Sequence, residues 1–314
     1  MNNTLKRKRR EEIETLDDLI ELCQTSEKSK EITKLKKIKK SLEKLNGMIG
    51  MNSVKKNIIY QILYFLQNLN HKGDMLHTVI TGPPGVGKTE LSKIISEIYS
   101  ELGILPTGQI IFAKRSDLVG EYLGETAIKT QDVLNSALGG VLVIDEGYSL
   151  GHPDKKDSYS KECIDTLNQF LTEQKENFCC IICGYEDALK ENFFSQNAGL
   201  ERRFPWKYDI QEYNNFELFQ IFKTQVEKAK WKLDKSALTP NFFLQHKTLF
   251  PNFGGSTEIF FTKCKMAHAR RIFHIIGKKN KKTLNSEDIR LGLELFKLNK
   301  FKDTKIKAPV NMYS

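Results

Sequence analysis

Nowhere in this 314-residue chain is there a stretch approaching the roughly 20 consecutive apolar residues that a membrane helix needs; the nearest is the broken run from Ile58 to Leu69. A bilayer-spanning role is therefore not expected. The N-terminus does not read as a secretory signal, because its opening charges run into acidic residues and not into an apolar segment. Cysteine is sparse and scattered, at positions 23, 163, 179, 180, 183 and 264, with no paired C-x-x-C knuckles and no disulfide-like rhythm. That pattern points to a reducing compartment, and an intracellular location, cytoplasmic or nuclear, is the expectation. There is no internal repeat and no long low-complexity segment.

What the chain has in excess is positive charge, +10 formally. Much of it sits in three separated clusters, Lys6 to Arg10 (KRKRR), Lys34 to Lys44, and Lys278 to Lys282, which do not make one groove. The KRKRR run suits a solvated arm, a weak nuclear-import signal or nonspecific phosphate binding. A nucleic-acid partner is open but not favoured.

With 39% hydrophobic residues the chain is long enough to bury a sizeable core in one or two domains. Residues 1–41 are charged and poor in aromatics, the composition of a partly disordered or helical arm. From Leu42 onward, Leu42, Leu45, Met48 and Ile49 lead through Gly50 into Val54, Ile58, Ile62, Phe65 and Leu69, spaced as one helix face. Apolar runs at Met75–Thr81, Gln109–Ala113, Val141–Ile144, Phe178–Cys183 and Trp206–Ile210 alternate with segments of helical length. Repeated strand-then-helix units imply an α/β parallel sheet sandwiched by helices over 42–210. Beyond Pro205 and that last strand only helical patterns remain, predicting a small all-α domain over 211–300 and a tail over 301–314.

Gly82-Pro83-Pro84-Gly85-Val86-Gly87-Lys88-Thr89 fills the G-x-x-x-x-G-K-[ST] template directly after a strand and directly before a helix, the context that gives the P-loop its meaning. Glycines let successive backbone N–H groups face a phosphate, and the following helix adds its positive end. Lys88 is expected to bridge the β- and γ-phosphates of ATP, and the Thr89 hydroxyl to ligate Mg²⁺. Val141 to Ile144 followed by Asp145 and Glu146 reads as a Walker B strand: Asp145 for the Mg²⁺ shell, Glu146 to orient and polarise the attacking water. Cys179, Cys180 and Cys183 read as core thiols, and His268 and His274 as packing or surface residues.

These motifs resemble the AAA+ family of P-loop NTPases, and within it the branch of the red-type Rubisco activase and the sporulation protein SpoVK, over about Leu45 to Phe296. The carriers, besides the P-loop and Asp145-Glu146, are Asp117 to Thr126, Lys129-Thr130, Gly139 to Leu150, Gly184-Tyr185 and Asn197 to Phe204. The lid segment Gly254 to Phe273 resembles versions in large eukaryotic DNA viruses. The resemblance implies that Tyr122, with Leu123 and Gly124, lines the pore of a ring and grips a polypeptide, although an aromatic in such a loop also suits packing on its own domain. It implies that Arg203, in preference to its neighbour Arg202, is an arginine finger reaching the γ-phosphate on the next subunit. It places Ile49 and Gly50, within Met48 to Met51, against adenine, where a hydrophobic staple would give the same pattern. Thr257 stands where near relatives carry the sensor-two arginine, and Tyr185 near the sensor-one position.

The expectation is thus an Mg²⁺-dependent ATP hydrolase that forms a homo-oligomeric ring, a hexamer by resemblance, and remodels a protein client of unknown identity. A nucleic-acid-dependent motor or loader, or an ATP-gated scaffold with negligible turnover, are the rival readings.

Overall fold

The computed structural model describes residues 13–26, 29–71, 73–122, 124–152, 157–273 and 282–303. Contacts divide the chain into two units, Met1–Pro83 with Gly87–Gln211, and Pro84–Val86 with Glu212–Ser314.

The first unit is built on five strands, β1 (Thr78–Thr81), β2 (Ile110–Ala113), β3 (Val141–Ile144), β4 (Cys179–Gly184) and β5 (Trp206–Asp209), in the order β2-β3-β4-β1-β5. All the pairings are parallel. Every residue of β3 and β4 is buried, as expected of central strands covered on both faces, and this is why they read as unbroken apolar runs and not as alternating ones. The walls include α5 (Lys88–Glu101), α6 (Arg115–Leu118), α7 (Glu125–Ser136) and α8 (Ser158–Glu173). Leu134, Cys163, Ile164, Leu167 and Phe170 pack on Leu142, Ile144, Cys180 and Ile182 in one core. Six cysteines are free and buried, consistent with core thiols.

Folding begins earlier than residue 42. Helices α1 (Leu16–Leu22) and α2 (Lys30–Lys37) bury Leu19 and Leu35 completely or nearly so, Ile38 between α2 and α3 is also fully buried, and α3 (Lys39–Gly47) and α4 (Asn52–Leu66) follow. The charged residues of α1 and α2 lie on the outer faces of these helices, so net composition understates the apolar stripe at helical spacing. The run from Leu42 to Leu69 is two helices, not one continuous face. The break at Met48–Met51 passes through two successive left-handed residues, Gly50 (φ 68°) and Met51 (φ 58°), and the Lys55 ammonium donates to the Asn46 and Met48 carbonyls that α3 leaves open. The buried Gln61 amide is paired at both ends: it donates to Tyr99 at 2.7 Å and accepts from Tyr208 at 2.6 Å, joining α4, α5 and β5.

The second unit contains α9 (Asn215–Lys228), α10 (Pro240–Gln245), α11 (Phe253–Ile272) and α12 (Ser286–Asp303), packed through Phe222, Phe243, Phe250, Phe260 and Phe296. It is mainly helical, but a two-residue parallel ladder joins β6 (Lys232–Leu233) to β7 (Thr283–Leu284). Arg271 and His268 both meet the fully buried Asp288 carboxylate, at 2.8 and 2.9 Å. Within this unit the Gly254 N–H donates to the Gly85 carbonyl at 3.1 Å and the Tyr213 hydroxyl to the Val86 carbonyl at 2.7 Å.

Candidate active site

Parallel pairing brings the C-terminal ends of β1, β3 and β4 to one sheet edge, with Thr81 opposite Gly184 and Ile144 opposite Ile182. The chain leaving β1 is the P-loop, the chain leaving β3 is Asp145-Glu146, and the chain leaving β4 is Tyr185. The Walker B strand is not the neighbour of β1; β4 lies between them. The gap is closed by Thr89 in the first turn of α5, whose hydroxyl donates to Asp145 Oδ2 at 2.7 Å.

Lys88 opens α5, behind the left-handed Gly87 (φ 95°). Its ammonium donates to the carbonyls of Gly82 at 2.8 Å and Pro83 at 2.7 Å, so loop and lysine form one closed turn. Burial lowers the Lys88 pKa below the ordinary lysine range, while Cys183, Asp145 and Glu146 act in the opposite sense. The ring of Tyr185 lies 4.9 Å from the Lys88 ammonium, a cation–π contact, and stacks on Tyr148 with centroids 5.2 Å apart. Burial, and then the Glu146 charge, push the Tyr148 hydroxyl up to about 12.

Glu146 is exposed and holds a left-handed backbone, φ 55° and ψ 42°, an uncommon conformation for a residue with a side chain. That turn directs the chain away from the strand immediately after Asp145, so the two successive carboxylates do not continue the strand's alternation. Gly147 follows because a Cβ there would stand 2.5 Å from Ile182.

At the break between α3 and α4, the methyls of Met48 and Met51 lie 3.3 and 3.4 Å from where a Cβ on Gly87 would stand. These methionines, flanking Ile49 and Gly50, bring this segment to the P-loop. Met51 is buried, and its left-handed backbone carries no local sequence signal.

Arg203 sits in a turn just before β5, where its Nη1 donates to the Gly199 carbonyl at 2.6 Å and its Nε to the Thr172 hydroxyl at 2.7 Å. Thr78 pairs with Trp206 and Thr81 with Asp209, so Arg203 is at the edge where β1 begins, a strand length of about 13 Å from the edge where the P-loop starts. Tyr122 is 69% exposed in the loop between α6 and α7. That loop is pinched at its neck: the Gly120 N–H donates to the buried Thr126 hydroxyl at 3.1 Å, and Gly124 (φ 85°) leads into α7. Leu123 lies outside the described residues, as do Lys6 to Arg10, His274, most of Lys278 to Lys282 and residues 153–156. Thr257 is fully buried and its hydroxyl donates to the Gly254 carbonyl of its own helix. Among the described residues no group of His, Cys, Asp and Glu makes a metal cluster, and no helix is long and apolar enough to cross a membrane.

The sequence profile of the "ATPase family associated with various cellular activities (AAA)" matches residues 78–203, from β1 to Arg203. A cfxQ-like protein of Acanthamoeba polyphaga mimivirus is 44% identical over 80% of this chain and 63% of its own length. Stage V sporulation protein K of Bacillus subtilis is 37% identical over 60% of this chain and 61% of its own. The chain thus spans less than two thirds of either relative. The chloroplastic ribulose bisphosphate carboxylase/oxygenase activase of Cyanidioschyzon merolae is 32% identical over 77% of this chain and 87% of its own length. Among solved structures, the FIGL-1 AAA domain in complex with ADP superposes with a TM-score of 0.57 at 17% identity, covering 82% of this chain and 88% of that one. A point variant of Thermotoga maritima RuvB gives 0.56 at 19%, covering 80% and 72%; at these identities both likenesses concern the fold. The P-loop turn, the acidic tip of β3 and these relatives together make the chain a member of the AAA family of nucleotide-binding ATPases, in the branch of CfxQ, Rubisco activase and stage V sporulation protein K.

Proposed function

We propose that the chain is an Mg²⁺-dependent ATP hydrolase whose sites are completed at the junctions of a ring of its own copies, a hexamer, and which uses turnover to remodel a protein client. The observation that carries this reading is the convergence of Lys88, Thr89, Asp145 and Glu146 at one sheet edge while Arg203 stands at the opposite one.

The Thr89 hydroxyl and the Asp145 carboxylate are hard oxygen donors already within 2.7 Å of each other, a donor set that suits Mg²⁺. When bound, the ion neutralises charge on the β- and γ-phosphates. The remaining work belongs to the chain. Backbone N–H groups of 82–89 hold the phosphates, and the Lys88 ammonium moves from the loop carbonyls to the β- and γ-phosphate oxygens. Ile49 and Gly50, brought up by Met48 and Met51, lie on the adenine side. Glu146, turned outward by its left-handed backbone, orients the attacking water and accepts its hydrogen bond.

Arg203 is held a strand length from its own P-loop, so its guanidinium serves the γ-phosphate on an adjacent copy, where such a finger accelerates phosphoryl transfer on the order of 10³-fold or more. Tyr122 of the pinched loop grips a polypeptide, and Leu123 and Gly124 of the same triplet share that role. One relative is a Rubisco activase, which favours a protein client over nucleic acid. Stimulation of turnover by DNA in a salt-sensitive way, and not by protein, would instead favour the motor or loader reading.

The test is a mixing experiment. Glu146→Gln and Arg203→Ala are each expected to bind ATP and hydrolyse it at least about a hundredfold more slowly than wild type. Mixed together they should recover part of the activity, because some junctions then pair an intact Glu146 with an intact Arg203. Mixing without recovery would refute the shared site, and negligible turnover by assembled wild-type protein would leave the scaffold reading in its place.

A further inference from the structure

Arg115, in the first turn of α6 and seven residues before Tyr122, distributes its guanidinium over three acceptors. Nη1 donates to the Ser149 carbonyl and to the Ser160 hydroxyl, each at 2.7 Å, and Nη2 donates to Asp157 Oδ2 at 2.7 Å. The three acceptors belong to two segments. Ser149 lies in the 3₁₀ turn that begins after Glu146, and its N–H donates to the Glu146 carbonyl at 2.8 Å. Asp157 is the N-cap of α8: its Oδ1 accepts from the Tyr159 and Ser160 N–H groups, both at 3.1 Å, and Ser160 donates to Oδ2 at 2.6 Å.

On the other side, Arg115 is tied to the neck of the Tyr122 loop. The Val119 N–H donates to the Arg115 carbonyl at 2.9 Å, closing α6. The Lys129 ammonium donates to the Ser116 and Val119 carbonyls at 2.7 and 3.1 Å, and the Thr130 hydroxyl to the Leu118 carbonyl at 2.8 Å. Hydrogen bonds therefore run from the Glu146 backbone through Ser149 and the Arg115 guanidinium to α6, and from there to the segment that launches Tyr122. The central ion pair is partly shielded, with side chains 35% and 30% exposed. Burial works against the Asp157 carboxylate, yet the bonds from Ser160 and Arg115 outweigh it and bring its pKa down to about 2.

We propose that Arg115 is a positioning residue that couples the nucleotide site at Glu146 to the loop carrying Tyr122, by holding the Glu146 turn, the α8 N-cap and α6 as one block. This rests on the roles given above to Glu146 and Tyr122. A guanidinium suits the task because its planar fork fixes the directions of several donors at once, whereas a lysine ammonium is a single point on a flexible stem. A displacement of the Glu146 turn is passed to Ser149 and, through the fork held at three acceptors and the Arg115 stem, to α6.

The experiment uses the full chain, with MgADP and Mg-ATPγS as probes. Hydrogen–deuterium exchange of the amides between 116 and 126 is compared in the two nucleotides for wild type, Arg115→Lys and Asp157→Asn. Asp157→Asn retains the Oδ1 cap and removes the ion pair, so it serves if the lysine variant does not fold. In wild type the exchange rates should differ between nucleotides by about fivefold or more, the lower end of ordinary coupling free energies. In both variants the ratio should fall below about twofold, while the Kd for each nucleotide stays within about twofold of wild type. Retention of the wild-type ratio in either folded variant overturns the proposal, as does a wild-type chain that binds both nucleotides without any difference at the loop. Failure of wild type to bind either nucleotide is a distinct outcome: it removes the ATPase reading first and the coupling with it.

Discussion

The hydroxyl of Thr89 and the carboxylate of Asp145, 56 positions apart in the chain, meet at 2.7 Å across the width of β4. Neither residue is on a neighbouring strand of the other; the helix after β1 leans over β4 to make the contact. Two hard oxygen donors are thereby held side by side.

Removing one of them should weaken the ion more than the fold. A charge-assisted contact is worth about 1.5–3 kcal/mol, or roughly ten- to a hundredfold. Thr89→Ala is accordingly expected to raise the Mg²⁺ concentration for half-maximal turnover by about that factor while shifting the melting temperature little. Magnesium titration of turnover beside a thermal melt checks it.

Gly120 should not tolerate a methyl group. An added Cβ would stand 2.7 Å from Glu125 Cβ and 3.0 Å from the Thr126 backbone nitrogen, both parts of the α7 N-terminus. Gly120→Ala is expected to cost about 1–3 kcal/mol as overpacking and to open the neck of the Tyr122 loop. Denaturant unfolding, together with an unchanged Kd for ADP, would separate this from damage to the P-loop.

His77 gives the fold a pH dependence. It is fully buried, its Nδ1 accepts from the Cys180 N–H at 3.1 Å and its Nε2 faces the Leu171 carbonyl at 3.0 Å, so the neutral Nε2–H tautomer fits. Burial pushes its pKa down to about 4, against some help for the charged form from the Leu171 carbonyl. The unfolded chain therefore binds the proton more readily, near the ordinary histidine value of about 6.5. Its contribution is complete above that value and is lost as pH falls from about 6.5 toward 4, amounting to about 3 kcal/mol. Wild-type stability should drop through this window, and a folded His77→Gln variant should show a shallower drop in a pH series of denaturant melts.

In the second unit Asp288 carries the heaviest electrostatic burden, since its fully buried carboxylate serves Arg271, His268 and the Asn285 N–H. Asp288→Ala strands those partners and is expected to destabilise by about 3–5 kcal/mol. Calorimetry should show the loss; a change below about 1 kcal/mol would mean the partners find water instead.

Much of the site was legible because its motifs are local. The P-loop and Asp145-Glu146 each occupy a few consecutive residues at a strand end, and strand ends are set by short-range patterns: apolar runs, then glycines or acids. The break at Met48–Met51 was not legible, because apolar spacing continues across it while the backbone turns left-handed. The helices at Leu16–Leu22 and Lys30–Lys37 were legible only as one alternative for a partly disordered or helical arm, because their few buried side chains are outweighed in composition by lysines and acids. The importance of Arg115 had no local signature at all, since its partners lie 34, 42 and 45 positions away.

By itself the sequence determined the alternation of strands and helices, the phosphate-binding turn and the acidic strand tip, because backbone period and loop chemistry are written over neighbouring residues. Only the tertiary structure decided that β4 separates the two motif-bearing strands, that Arg203 stands a strand length from its own P-loop, and that one guanidinium joins Glu146's turn to Tyr122's loop. Those are consequences of strand order and packing between distant segments, where burial and hydrogen-bond satisfaction of the whole core select the arrangement and no short stretch of chain can specify it.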